Sequence, residues 1–198
     1  MNPSRYPLLE GLAKLCGDEC VEDLEELAEE AEELEKLATG LPEPRLGAQN
    51  GGPLASRVAN LDEVTGAAIE ATGNVGLARY LAIRRIYLKL GGQAPRATGA
   101  VCPVCGSKPR VVVLSRVSQG FFDGYIPIAR CICGMEWSVE EWRCPSCGSH
   151  GRDSFNIYII KPGVLEVREC RSCGYRMAVT SVRPRQAEVM LASILLGV

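Results

Sequence analysis

Four closely spaced cysteine pairs dominate the second half of the chain: Cys102/Cys105, Cys131/Cys133, Cys144/Cys147 and Cys170/Cys173. Two cysteines that lie a few residues apart can direct both sulfurs at one ion, and a second pair completes a tetrahedral set of four thiolates. A glycine follows the second cysteine of every pair, where it suits a tight turn whose backbone N–H groups point at sulfur. The spacing predicts two metal ions, zinc or iron, each bound by four of these eight cysteines.

Disulfide bonds are the alternative use of so many cysteines. The N-terminus lacks the charged and then apolar pattern of a secretion signal, so we expect a cytoplasmic protein, where thiols stay reduced and metal binding is favoured. No apolar run approaches the roughly 20 residues of a membrane helix. Cys16 and Cys20 are too few to form a third site, and we assign them to packing or to incidental oxidation.

The two halves of the chain differ in charge. Residues 1–99 carry a net charge of −6, and residues 100–198 carry 12 basic and 8 acidic side chains. Eight thiolates and two divalent ions would bring this second half close to neutrality. This balance argues against a basic nucleic-acid surface.

Residues 1–95 are expected to form a helical domain. Apolar residues recur at helical spacing in a short segment at 7–16 and in three longer segments at 20–38, 58–71 and 77–90. The stretch from Asp18 to Glu35 holds eleven acidic residues and no basic one. Its acidic face is interpreted either as solvated or as a contact for a basic partner. Arg84 and Arg85 are interpreted either as part of a solvated helix face or as a contact for a partner.

The cysteine-rich half contains an internal repeat. In residues 100–140 and again in residues 141–183, a cysteine pair leads into two strand-like segments and a second pair. A β-hairpin with a metal-binding turn at each end is the rubredoxin or zinc-ribbon arrangement, so we expect the first pair to join the second and the third to join the fourth. A crossed grouping stays open. The fold class is therefore α+β, a helical bundle followed by two ribbons.

The segment 184–198 is predicted to be an amphipathic helix. It is expected either to pack back on the ribbons or to bury its apolar face against a second copy, as a homodimer. His150 follows Cys147 closely, but we interpret it as exposed or as a neighbour of the site rather than a ligand. The chain shows no catalytic triad, phosphate loop or paired catalytic carboxylates, so an enzyme is not expected.

The order of these motifs resembles the formate dehydrogenase accessory protein family (FdhE-type). The resemblance is carried by Cys102-Pro-Val-Cys105-Gly-Ser-Lys-Pro109, by Glu136-Trp137 after the second pair, by Arg143 directly before the third pair, and by Glu169 and Tyr175 on either side of the fourth. It implies a helical domain followed by two rubredoxin-like units that hold iron or zinc. It also implies a cytoplasmic accessory role, in which the protein contacts the catalytic subunit of a formate dehydrogenase during maturation.

This chain departs from the family pattern in two ways. Its helical half is shorter than expected, and Cys131-Ile-Cys133 is C-x-C where the family has C-x-x-C. Two other functions stay open on the residues. One is a zinc ribbon that binds nucleic acid or the transcription apparatus, and the other is a rubredoxin-like electron carrier.

Overall fold

The computed structural model describes residues 6–8, 11, 20–48, 51–95, 99–119 and 122–196, and for residues 20–27, 119 and 122 it describes the backbone alone. Within these residues, four α-helices have defined bounds: α1 (Cys20–Gly40), α2 (Leu61–Thr72), α3 (Val75–Leu90) and α4 (Gln186–Leu195). Six strands are defined in the same part of the chain: β1 (Val111–Gln119), β2 (Phe122–Arg130), β3 (Glu136–Ser138), β4 (Phe155–Lys161), β5 (Leu165–Cys170) and β6 (Arg176–Thr180). Helices α1 to α3 precede the strands and α4 follows them, and the predicted α+β class is confirmed.

A tight turn separates α2 from α3. Gly73 adopts a left-handed conformation (φ 63°) and donates its N–H to the carbonyl of Ile69, which ends α2. Asn74 then accepts a hydrogen bond from the N–H of Leu77 and begins α3. The two helices, together with the end of α1, enclose a small apolar core: Ala38, Leu41, Val64, Ala68, Ala78, Leu81 and Ala82.

The two predicted ribbons share one sheet. Its strand order is β3-β2-β1-β6-β5-β4, and every neighbouring pair is antiparallel except β1 and β6. The parallel pair aligns Val111 with Ala178 and Val113 with Thr180. The sequence indicated each hairpin from its own residues, and this parallel pairing joins the hairpins into a continuous surface.

Helix α4 packs on one face of the sheet, which confirms the expectation that this segment packs back on the ribbons. Its buried residues Val189 and Ala192 meet Val111, Leu165 and Ala178. The opposite face carries a second cluster around the third and fourth cysteine pairs, formed by Val112, Cys144, Phe155, Cys170, Tyr175, Met177 and Val179.

The interpretation of Arg84 and Arg85 as a solvated or partner-binding face is wrong. Arg84 forms an ion pair with Glu35 (Nε to Oε2, 2.6 Å), and its side chain is only 12% exposed. Arg85 donates to the carbonyls of Thr39 and Pro42 at the end of α1. Both arginines therefore fasten α3 to α1, because the last carbonyls of α1 and the carboxylate of Glu35 need donors.

The acidic face of α1 is used in part within the chain. Glu35 also accepts a hydrogen bond from the buried hydroxyl of Tyr80, and Glu32 binds Arg185 of the segment before α4. Burial, reinforced by the bond to Glu35, raises the pKa of Tyr80 far above its ordinary value, so that it remains a donor. Glu30 and Glu33 stay exposed, and Glu33 forms a surface ion pair with Lys36 of the same helix. Most of the predicted 7–16 helix and the side chains of Cys16 and Cys20 lie outside the described residues.

Glu188 of α4 joins the segment around Leu8 to the start of α4, and this contact can be tested. Its carboxylate is fully buried and accepts hydrogen bonds from the N–H groups of Leu8 (2.8 Å) and Arg185 (2.7 Å). Glu188→Ala should lower the free energy of unfolding by about 2 kcal/mol or more, because it leaves two backbone donors unpaired. Urea denaturation measures this loss. The exposed Glu70→Ala is the control, and equal effects of the two changes would contradict the assignment.

Candidate metal centres

The first group of cysteines brings together Cys102, Cys105, Cys131 and Cys133, whose four sulfurs lie within 4.8 Å of one another. Cys105 Sγ lies 3.3 Å from Cys131 Sγ, and Cys102 Sγ lies 3.6 Å from Cys133 Sγ. Cys102 and Cys105 precede β1, whereas Cys131 and Cys133 follow β2. The antiparallel β1–β2 hairpin therefore returns the second pair to the first.

The second group contains Cys144, Cys147, Cys170 and Cys173, again with all four sulfurs within 4.8 Å. Cys144 faces Cys173 and Cys147 faces Cys170, each at 3.6 Å between sulfurs. The β4–β5 hairpin lies between the two pairs. The predicted sequential grouping is therefore confirmed, and the crossed grouping does not occur among these residues.

Both groups fit a tetrahedral metal ion. An ion with metal–sulfur bonds of about 2.3 Å separates its four thiolates by about 3.8 Å, close to the spacings found here. A disulfide would require about 2.05 Å between sulfurs, and the eight cysteines are free thiols. Zinc and iron both accept such a set. Because four sulfurs complete a tetrahedral shell, a metal held in this way offers no open position for substrate or water.

Glycine makes each cysteine turn possible. Gly106, Gly134, Gly148 and Gly174 have φ values of 77°, 100°, 79° and 69°, a left-handed region that disfavours side chains. Their N–H groups donate to the carbonyl of the first cysteine of the pair, as Gly106 does to Cys102 at 2.8 Å. The predicted tight turn is therefore confirmed. Other N–H groups of the turns point at sulfur in the second cysteine group, those of Ser146 and Cys147 at Cys144 and that of Ser149 at Cys147.

The C-x-C turn is the same turn shortened by one residue. In the other three pairs, the N–H of the first cysteine bonds to the carbonyl five residues later, as Cys102 does to Ser107. Cys131 instead bonds to Met135, four residues later, and Gly134 closes the turn three residues after Cys131. The chain thus adjusts locally, and Cys133 still reaches the first group.

The two groups differ in their surroundings. Cys102, Cys131 and Cys133 are buried in a core that includes Leu54, Ile86 and Trp137, with Tyr87 packed beside it. In the second group, Cys147 and Cys173 are exposed. The glycines show the same contrast, since a Cβ at Gly134 would collide with α3 whereas one at Gly148 or Gly174 would meet open space.

Thiol pKa values follow these surroundings. Hydrogen bonds from the Ser149 hydroxyl and N–H lower the pKa of Cys147 to about 6, whereas burial raises that of Cys144 to about 12. In the first group, the thiol of Cys102 and its neighbours lower the pKa of Cys105, and proton sharing with Cys102 and Cys105 raises the pKa of Cys133. A metal ion must displace the remaining protons, so its affinity rises with pH.

Sequence reasoning missed several residues that hold the cysteine turns. Arg84 of α3 donates to the carbonyl of Cys133, and Gln186 of α4 donates to those of Cys131 and Ile132. Tyr175 donates its hydroxyl to Pro109, which links the fourth turn to the first. No local pattern marks these contacts, because they join residues far apart in sequence. His150 is exposed beside Glu140, as predicted.

Comparison with known proteins gives one informative match. The FdhE homolog of Aquifex aeolicus (strain VF5) is 26% identical over 83 residues, which is 41% of this chain and 29% of that protein. The chain resembles FdhE-type proteins. The match covers less than a third of the length of this curated relative. No family model and no solved structure matches. Within the described residues, no helix combines the length and the apolar character needed to cross a membrane.

The contrast in exposure predicts stepwise metal loss. A zinc-loaded Cys16→Ser/Cys20→Ser chain mixed with an excess of a chelating dye should release two ions in two phases. The second group should empty about tenfold faster or more, because its ligands need less local opening to reach the chelator. Absorbance of the dye complex follows both phases.

Single ligand changes assign the phases. Cys147→Ser should abolish the fast phase and keep the slow one. Loss of the fast phase in Cys105→Ser instead, or a single phase in the parent chain, would contradict the assignment.

Proposed function

We propose that this protein is a metal-binding accessory protein of the FdhE type that assists maturation of a formate dehydrogenase, a molybdenum or tungsten enzyme. The observation that carries the proposal is the pair of four-cysteine groups on one sheet, preceded by a helical domain. The similarity to an FdhE homolog supports it independently. Under this proposal all eight cysteines are metal ligands, and the client is the catalytic subunit of the enzyme.

The chemistry of the site supports a binding role rather than catalysis. Four thiolates close the coordination shell of each ion, so that the metals stabilise the turns around them. An iron-loaded second group would also be competent for electron transfer, because two of its ligands reach the surface. Zinc would exclude that role, since it has no redox chemistry.

The proposed site of action is the cytoplasm, where the cysteines stay reduced and an immature enzyme is accessible. The exposed part of the acidic helix, including Glu30 and Glu33, is the proposed contact for a basic region of the client. Glu32 and Glu35 are not part of this contact, since they hold Arg185 and Arg84 within the chain.

Capture of the tagged protein from its own cells, without oxygen and with nuclease, tests the client. We expect the catalytic subunit of a formate dehydrogenase to be retained, together with two zinc or iron ions per chain. A Glu30→Lys/Glu33→Lys variant should retain at least several-fold less, because it reverses charge at the proposed contact. Glu70→Lys, on another exposed helix surface, is the matched control.

Polymerase or ribosomal components in place of a formate dehydrogenase would overturn the proposal and favour the nucleic-acid function. If Glu30→Lys/Glu33→Lys and Glu70→Lys reduced retention of the enzyme equally, the client would still be supported, but the acidic helix would not be its contact.

A further inference from the structure

We propose that Arg84 and Gln186 are positioning residues that set the metal affinity of the first cysteine group by holding the shortened Cys131–Cys133 turn. The inference rests on metal binding by this group, which is part of the proposed function, and is independent of the identity of the client. It concerns residues that the cysteine motif does not contain.

Every backbone carbonyl of the shortened turn is paired with a side chain from a helix or with a turn amide. The amide nitrogen of Gln186 lies 3.2 Å from the carbonyl oxygen of Cys131 and 2.5 Å from that of Ile132. Nη1 of Arg84 lies 2.8 Å from the carbonyl oxygen of Cys133. The turn therefore depends on two helices, α3 and α4, that lie outside the hairpin carrying the cysteines.

The orientation of Gln186 is fixed by this contact. Its nitrogen faces two carbonyl oxygens, and the reversed amide would place an oxygen against both. Its own Oε1 is buried, and within the described part of the chain it has no hydrogen-bond partner. A glutamine that leaves one polar atom unpaired in order to donate twice to a ligand-bearing turn indicates a positioning role.

Arg84 packs against the turn at Gly134, which has no side chain. A Cβ at Gly134 would lie 2.0 Å from Nη1 of Arg84 and 2.8 Å from the ring of Tyr87. The guanidinium is held from its other side by Glu35, at 2.6 Å from Nε. Because Glu35 is in turn bound by Tyr80, the direction of the Arg84 donor toward Cys133 is set by α1 and α3 together.

The first turn of this group is supported in a similar way. The N–H groups of Leu54 and Ala55 donate to the carbonyls of Pro103 and Val104 at 2.8 and 2.7 Å. The second cysteine group is bound differently, since Arg171 of its turn donates its N–H to the carbonyl of Ser154 just before β4, and its glycines Gly148 and Gly174 face open space. A change at Arg84 or Gln186 should therefore act on one group and spare the other.

Cobalt titration of the complete chain, in competition with a chelator of known affinity, tests the proposal. Cobalt bound by four thiolates gives a visible spectrum, which reports ligation directly, and zinc competition then gives the affinity of each group. The binding step of the titration that is lost in Cys147→Ser belongs to the second group. Arg84→Met and Gln186→Met should each weaken the first-group step by about 10- to 100-fold, the usual effect of removing a partner of a metal ligand, and leave the second-group step unchanged.

Two further variants separate positioning from general stability. Arg85→Met removes a neighbouring arginine that also joins α3 to α1 but does not touch the turn. It should leave both metal steps unchanged. Arg84→Lys should regain part of the lost affinity, because its ammonium group can still donate to the carbonyl of Cys133. The unchanged second-group step and the far-ultraviolet circular dichroism spectrum show that each variant is folded.

The outcomes are distinct. The positioning role would be overturned if Arg85→Met lowered the metal affinity of the first group as much as Arg84→Met does. It would also be overturned if neither Arg84→Met nor Gln186→Met lowered that affinity. If Arg84→Met alone fails to fold, Gln186→Met decides the question. A wild-type chain that binds no metal at the first group would overturn this inference and the metal-binding part of the proposed function together.

Discussion

The carbonyls of Cys131, Ile132 and Cys133 need hydrogen-bond donors in a place that water reaches poorly, because this turn lies between the sheet and two helices. An unpaired carbonyl there would cost about 1–3 kcal/mol. The donors come from Arg84 and Gln186, one of which precedes the cysteine-bearing hairpin in the sequence while the other follows it. This single requirement fixes α3, α4 and, through Glu35, α1 around the first cysteine group.

The two cysteine groups are alike in composition and different in position. The first is embedded in an apolar core with Leu54, Ile86 and Trp137, so its sulfurs pack as core atoms. The second lies at the end of a hairpin, and two of its four cysteines are exposed. A metal in the first group stabilises the junction between helices and sheet, whereas one in the second stabilises mainly its own turns.

A protein built in this way is suited to presenting a surface whose shape depends on metal. An ion held by all four sulfurs of either group would have its coordination positions occupied by the chain itself. Among the described residues, the surfaces open to a partner include the exposed part of the acidic helix and the sheet around Tyr125 and Ile159, whose side chains are exposed. The proposed accessory role fits this arrangement, since recognition of another protein requires a firm surface and no chemistry.

The cysteine spacing and the following glycines predicted two groups, and the strand-like segments between the pairs favoured sequential pairing over the crossed grouping. Local geometry dictates both: a hairpin returns its ends to one place, and a glycine permits the left-handed turn. The C-terminal helix and the three longer helices of the first half were also predicted, because apolar periodicity reports a buried face whatever covers it. The structure begins α2 at Leu61 and α3 at Val75, within a few residues of the predicted starts.

Only the tertiary structure decided how these parts meet. The parallel pairing of β1 with β6 joins strands about 65 residues apart, as Val112 and Val179 show, and no local pattern encodes it. Arg79, Arg84 and Arg85 carry the same charge on one helix, yet Arg84 alone lies against the Cys133 turn. Which arginine does so depends on the rotation of α3 over the sheet, a property of packing between distant segments rather than of any segment alone.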